Sequence, residues 1–492
     1  MAELPGPFRL PVIGNLHQLK NPTCLTFAKF GNIHGDVYQL QLGSTKTVIL
    51  NSAEALRQAF DKQGEVFSFR DENFTSFKLY NEVRGDENAG VTVRNANTDV
   101  WYVQHMLVGR AMKYYMFEAD DNRFEKSIRS DVSKLISTWI SIDQEEGFLI
   151  DPVASCQELI GHLKADFILG DVCDDIEDFD KKLEAYSNAS VEMLAMMRGG
   201  FVNDFLPFLG FLTKSKQSRM REILSVGAQF FEDIYKAHAV SYQCGSKETI
   251  MDCVATFQDE MEKEHPDRTR VPRKTVFGVI AELFEGVANA SAALLQIMMY
   301  MIEFPEVQEK VREELREVVG ASSSSYPSLE HREKLAFTEA VMYEVWRHSS
   351  VIKGTVPHTC NEDVLLGGSY NFLIPKGATV IGNLYSVHKD PKIWDQPSEF
   401  NPMRFLKQED GSLDEEKVTN CMVFSIGKRS CIAELLTKRE LLLVYSTLIH
   451  LCKFENVGSS LTMQEVGGFE VPRDGSLKIK ITRTGVDVSS NV

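Results

Sequence analysis

Phe424-Ser425-Ile426-Gly427-Lys428-Arg429-Ser430-Cys431-Ile432-Ala433-Glu434 sets one cysteine at the end of a glycine-bearing loop that runs into a helix from about Glu434 onward. Each residue type suits a thiolate that ligates a metal. The sulfur must stay deprotonated, and nearby backbone N–H groups, a helix N-terminus and cationic neighbours all favour the anion. Gly427 would let the backbone approach a flat cofactor closely, and Arg429 can pair with a carboxylate. A buried structural cysteine would account for Cys431 alone, but not for the stretch as a whole.

Working outward, Tyr343-Glu344-Val345-Trp346-Arg347 carries opposite charges at i, i+3, hence on one helix face. Pro402-Met403-Arg404-Phe405 adds another cation closer to the loop. In this order the three stretches resemble the Glu-x-x-Arg, Pro-x-Arg-Phe and Phe-x-x-Gly-x-Arg-x-Cys-x-Gly motifs of the cytochrome P450 family, with Ala433 in place of the last glycine. The resemblance implies a mainly α fold with a small β-lobe. It also implies a heme b (iron protoporphyrin IX) whose iron is held by Cys431, and an ionic network of Glu344, Arg347 and Arg404 beneath the cysteine loop.

The likeness extends over essentially the whole chain. Ile374-Pro375-Lys376-Gly377, Leu384-Tyr385-Ser386-Val387-His388-Lys389-Asp390-Pro391 and the lead-in Pro5-Gly6-Pro7-Phe8-Arg9-Leu10-Pro11-Val12-Ile13-Gly14-Asn15 are worded as in the animal microsomal group containing families 1 and 2. In that group the lead-in follows an N-terminal membrane anchor. None is seen here, so the expected place is the cytosolic face of the endoplasmic reticulum if an anchor was removed, and the cytoplasm otherwise. A narrower resemblance, through Phe424 to Arg429 and an altered internal helix, is to the arthropod spook-type P450s.

Composition agrees with one large globular domain over 1–492, with 1–15 as the Pro-rich lead-in. The chain is 43% hydrophobic and 25% charged, without a linker tract or internal repeat; Ser322 to Ser325 is its one low-complexity patch. A net charge of −17 argues against nucleic acid, which is bound by concentrated Lys and Arg. Nine cysteines without a C-x-x-C pair argue against a zinc or disulfide framework and fit a reducing compartment. No window approaches the roughly 20 apolar residues of a membrane span.

Val37 to Leu42 and Lys46 to Leu50 alternate around Gly43-Ser44-Thr45 and predict a hairpin. Phe124 to Ile140, Lys216 to Tyr242 and Lys274 to Phe304 read as long helices, and Val364 to Leu366 and Ala378 to Ile381 as strands. Residues 193–212 are apolar but broken by Gly and Pro, which fits either a segment dipping into a membrane face or ordinary helix–loop packing.

The family resemblance also assigns heme contacts. Trp101, Arg429 and His358 match positions that hydrogen-bond the propionates, and His105 stands where the family has arginine. A neutral imidazole offers one donor where Arg offers a charged fork, so that grip is expected to be weaker or pH-dependent. Lys353 and Val356 fall in a substrate-facing segment. A cation in a dry pocket is costly unless paired, so Lys353 is expected to meet a substrate carboxylate or a propionate, unless it faces solvent.

The oxygen-activating helix departs from the family. Its Ala/Gly-Gly-x-Asp/Glu-Thr becomes Glu285-Gly286-Val287-Ala288-Asn289, so Ala288 replaces the acid and Asn289 the threonine. A monooxygenase must deliver protons to the oxygen it activates, and an amide is no practical proton source. Either Glu285, one turn before Asn289 on the same face, feeds an Asn-held water, or no oxygen activation is needed.

Three functions follow as expectations: monooxygenation of a lipophilic steroid-like or fatty-acid-like molecule with electrons from an NADPH-cytochrome P450 reductase; isomerase or lyase action on a hydroperoxide or aldoxime; and non-catalytic heme or lipid binding. Lys428, Lys438 and Arg439, around the cysteine loop, form a candidate landing patch for the acidic reductase.

Overall fold

Apolar residues recurring at helical spacing build most of the molecule. The computed structural model of the chain describes residues 4–85, 90–119, 122–139, 148–198, 200–265, 271–321, 325–457, 463–466, 469–472 and 478–484. Its longer helices are α1 (Thr23–His34), α2 (Thr75–Arg84), α3 (Asp99–Phe117), α4 (Arg123–Trp139), α5 (Pro152–Ile168) and α6 (Phe179–Arg198). They continue with α7 (Lys214–Ser241), α8 (Ile250–Glu264), α9 (Gly278–Glu303), α10 (Pro305–Val319), α11 (Ala336–Ser349) and α12 (Glu434–Leu451).

Helix α9 is apolar on nearly every side, the pattern of a helix that runs through a core. With its lead-in from Arg273 it is long and apolar enough to cross a membrane, which corrects the expectation that no stretch approaches a span, yet 72% of its most apolar window is buried inside the protein. It packs against α5, α6, α11 and α12 and draws residues from Val91 to Ile481 into one hydrophobic cluster. Local signals fix several helix starts. Thr98 caps α3 by accepting the Trp101 N–H at 3.2 Å, which places Trp101 in the first turn.

Strands from distant parts of the chain make the β structure. β1 (Val37–Leu42) and β2 (Thr45–Leu50) form the expected hairpin, with Gly43 at φ +58° in its turn. β7 (Thr379–Gly382) runs parallel to β2, and β4 (His358–Thr359) pairs with β7, so residues from both ends of the chain share one sheet. A second sheet has the order β3 (Phe148–Ile150), β11 (Ile479–Arg483), β8 (Cys452–Asn456). β5 (Val364–Leu366) with β6 (Phe372–Ile374), and β9 (Met463–Val466) with β10 (Phe469–Pro472), form separate hairpins. The fold is mainly α as the sequence implied, but its β part is divided among several small sheets.

Residues 193–212 divide as their Gly and Pro content suggests. α6 carries the first part, a short helix spans Val202–Phe205, and a 3-10 turn spans Pro207–Thr213. Met193, Phe201 and Leu206 are buried, whereas Phe208, Phe211 and Leu212 are each more than 60% exposed. The side chain of Arg198 and residue 199 lie outside the described residues.

Candidate active site around Cys431

The cysteine loop closes on itself before entering α12. Cys431 N–H donates to Phe424 O at 2.9 Å, Ser430 N–H to Gly427 O at 3.0 Å, and Glu434 N–H to Cys431 O at 3.2 Å, so the helix starts on the cysteine's own carbonyl. Protein atoms crowd Cys431, yet it keeps an accessible face and so stands at the edge of open space. Burial pushes its thiol up to about 11, against the pull of the Ala433 N–H and the Lys164 cation. Such a thiol ligates when a metal displaces its proton. Gly427 has φ +74°, and a Cβ there would collide with the Phe60 carbonyl. Within the chain, the contact that demands glycine is thus a neighbouring backbone.

Helix α11 backs this loop through Trp346, whose ring meets Phe424 edge-on at 5.5 Å. The next residue, Arg347, donates to both oxygens of Glu344 one turn back at 2.6 and 2.8 Å, and Arg404 Nε joins Glu344 Oε1 at 3.0 Å. The remaining donors are used as well: Arg347 reaches the carbonyls of His388, Pro397 and Glu399, and Arg404 those of Asp395, Gln396 and Glu399. Glu344 and Arg347 are fully buried. Burying such charges is tolerable only because every donor finds an acceptor.

A second polar cluster gathers on the loop at 90–95. Trp101 Nε1 donates to Val91 O at 3.1 Å, and Arg429 donates to the carbonyls of Ser68 (2.9 Å), Val91 (2.5 Å) and Arg94 (2.5 Å). Arg70, which sequence reasoning missed, is buried beside them and donates to Thr92 O (3.0 Å), Val356 O (3.2 Å) and Pro357 O (2.7 Å). Burial, then the Arg429 charge, holds the Arg70 guanidinium well below its usual range; burial likewise lowers Arg429 to about 10. Within the chain Arg429 bonds carbonyls, and the anion acting on both guanidiniums is Glu282.

His105 stacks on Trp101 at 4.7 Å, and burial followed by Arg429 lowers its pKa, so the ring is neutral near pH 7. His358 stacks on Phe60 at 4.0 Å with Nδ1 at 2.8 Å from Phe67 O. Burial drives His358 well below its ordinary range, so its single N–H is committed to that carbonyl. Lys353 is half-buried, and its carbonyl accepts Tyr385 N–H at 3.1 Å; Val356 is exposed.

Helix α9 presents an open face at Glu282, Glu285, Gly286, Asn289 and Ala292, each partly accessible among fully buried neighbours such as Val287, Ala288 and Ala290. A Cβ on Gly286 would meet nothing within 4 Å. Asn289 Oδ1 is enclosed without a hydrogen-bond partner among the described residues. Glu285 Oε1 accepts from Arg84 Nη2 at 2.6 Å and Tyr80 Oη at 3.1 Å. Glu282, also missed from sequence, accepts the Thr92 N–H on both oxygens at 3.1 and 3.2 Å, and burial pushes its carboxyl up to about 7.

A family model described as Cytochrome P450 matches residues 4–474. The chain belongs to the cytochrome P450 family. It is similar to Cytochrome P450 1A1 of Oryzias latipes, 30% identical over 94% of this chain and 87% of that protein. It is also similar to Cytochrome P450 1A1 of Sparus aurata, 28% identical over 92% and 85%, and to Cytochrome P450 1A5 of Gallus gallus, 27% identical over 92% and 84%. The cofactor is therefore heme b, and the chain is a heme-thiolate enzyme of the monooxygenase class.

The residues present fit that cofactor. A P450 needs one thiolate, and Cys431 supplies a thiol at the edge of open space. It needs cations for two propionates, and Arg70 and Arg429 are buried guanidiniums that repel one another. When bound, heme supplies the iron that activates oxygen, with the thiolate pushing electron density toward it.

A groove of about 360 Å³ also reaches Cys431, lined by Arg332, Tyr343, Leu413, Lys438 and Arg439 among others, none of them on α9. Its cations are met within the chain: Lys438 by Glu434 at 2.6 Å, and Arg332 and Arg439 by Glu339 at 2.7 and 3.4 Å. Lys428 is likewise held by Glu65 at 2.9 Å and Asn97 at 2.9 Å. The three cations read as a landing patch are each bound to an acid of the same chain, which lowers the net positive field they offer.

Proposed function

We propose that this P450 oxygenates a lipophilic small molecule, steroid-like or fatty-acid-like, bound against the open face of α9, using electrons from an NADPH-cytochrome P450 reductase. Two observations support this reading: Cys431 is accessible, and α9 keeps a face open at Gly286 and Asn289. In it Arg70, Arg429 and Trp101 hold the propionate edge; His105 and His358, both neutral, contribute little charge. Asn289 orients a water or a substrate oxygen by its amide, and the exchangeable proton on this face resides on Glu282, since Arg84 already neutralises the Glu285 carboxylate.

Membrane contact at the cytosolic face of the endoplasmic reticulum belongs to the same reading. Ser44 N–H and Thr45 Oγ1, at the tip of the β1–β2 hairpin, donate to the carbonyls of Phe205 and Asp204, and Gly14 bridges to Leu42 on the same hairpin. Exposed Phe8 and Val12 of the lead-in and Phe208, Phe211 and Leu212 of the later turn thereby flank one hairpin as an apolar surface.

A second reading is favoured by Ala288 and Asn289, neither of which supplies a proton: the enzyme rearranges a hydroperoxide or aldoxime and needs no reductase. One preparation decides between them. Product formation that requires reductase, NADPH and dioxygen supports oxygenation, whereas rapid loss of a lipid hydroperoxide with rearranged products in their absence supports the second.

A further inference from the structure

Glu285 sits on the open face of α9 in an arrangement stiffer than an ordinary ion pair. Arg84 and Tyr80, both on α2 and both buried, converge on the single oxygen Oε1, and Arg84 Nη1 donates to Tyr80 Oη at 2.5 Å. The guanidinium also lies over the Tyr80 ring, 4.4 Å from its centre, and a Cβ on Gly227 of α7 would stand 3.4 Å from its Nη2. Tyr186 of α6 closes the remaining side, its hydroxyl donating to Ala281 O at 3.0 Å. Arg84 is thus fixed from several directions and keeps 4% of its side-chain surface, while Glu285 keeps 16%. Oxygen Oε2 of Glu285 has no hydrogen-bond partner among the described residues. It shares a face with Gly286, where nothing fills the space of a Cβ, and with the amide of Asn289 one turn on.

The charges around Oε2 select what can approach it. Arg84 neutralises one carboxylate, and Glu282 places a second carboxyl one turn earlier on the same helix face. An anion entering here meets acceptors and a glutamate, and the one nearby guanidinium is already engaged. A neutral group that donates a proton to Oε2 gains a charge-assisted hydrogen bond without separating the ion pair.

We propose that Glu285 Oε2 accepts a hydrogen bond from a hydroxyl of the substrate, so that this site selects lipophilic alcohols over their ethers and over fatty acids. The inference rests on the lipophilic-substrate reading above and narrows it: Glu285 becomes a specificity residue, oriented by Arg84 and Tyr80.

Titration calorimetry of the heme-loaded, full-length chain with 1-dodecanol, its methyl ether and dodecanoate tests this. Dodecanol is expected to bind about tenfold more tightly than the ether, the value of one hydrogen bond to a charged acceptor, and dodecanoate more weakly than the alcohol. In Glu285→Gln the alcohol-to-ether preference is expected to fall below about threefold, and dodecanoate to become the tightest ligand, because Arg84 has lost its anion. A change that merely loosened the fold would weaken all three alike. Equal affinity of alcohol and ether in the unaltered protein overturns the proposal, even if the variant does not fold. Failure of all three to bind overturns the lipophilic-substrate reading and the proposal together, whereas binding without head-group preference leaves that reading standing and removes only the proposal.

Discussion

The two polar clusters that flank the cysteine site are built on opposite principles. Behind the loop, Glu344, Arg347 and Arg404 have their donors and acceptors matched within one network, of which Glu344 and Arg347 are fully buried. On its open face, α9 carries an Asn289 Oδ1 with no partner among the described residues, a carboxyl at Glu282 whose proton is exchangeable near neutrality, and a Glu285 bonded on one oxygen. A saturated network resists change and serves as scaffold. An unsaturated one retains capacity for ligand, proton or water, and it is there that this chain departs from its family's motif.

Four substitutions probe that contrast. Cys431→Ser should abolish the thiolate band of the reduced, carbon-monoxide-bound absorption spectrum entirely; survival of that band in a folded, heme-loaded sample would remove Cys431 as ligand. Glu344→Ala should cost about 3–5 kcal/mol in denaturant unfolding, since it strands two buried guanidiniums. A loss below about 1 kcal/mol would mean that the network is not structural.

Glu282→Gln tests the distal side through pH. A carboxyl held up to about 7 in the fold against 4.5 ordinarily keeps its proton longer folded than unfolded, so its stabilisation is complete below pH 4.5 and is lost as pH rises through about 7. That amounts to about 3 kcal/mol across the window, and stability measured from pH 4.5 to 8 should lose this component in the variant. Asn289→Ala should be the smallest, within about 1 kcal/mol, because it removes a buried oxygen that has no partner among the described residues. Should it prove as costly as Glu344→Ala, the two clusters would not differ in kind.

What could be read from sequence followed the range of the interaction. The cysteine loop is contiguous, Glu344 and Arg347 are one helical turn apart, and the β1–β2 hairpin is closed by a two-residue turn, so residue spacing alone conveys them. Arg70 and Glu282 escaped because their partners are distant in the chain: Pro357 lies 287 positions from Arg70, and Thr92 lies 190 from Glu282. In Arg70-Asp71-Glu72 the arginine looks like part of a solvated turn. Glu282 did leave a signal, a second carboxylate on the Glu285 face of an otherwise apolar helix. Gly427 was legible as a necessary glycine, but its contact with the Phe60 carbonyl was not, because that carbonyl comes from another part of the chain.

Gly90 makes a close contact of another kind, with the side chain of Glu282. A Cβ at position 90 would run into the carboxylate that holds Thr92 N–H, so each residue limits what its counterpart can become. The two sites should therefore vary jointly through descent: alanine at 90 fits directly beside a smaller residue at 282, whereas beside glutamate it requires the carboxylate to move off the Thr92 N–H.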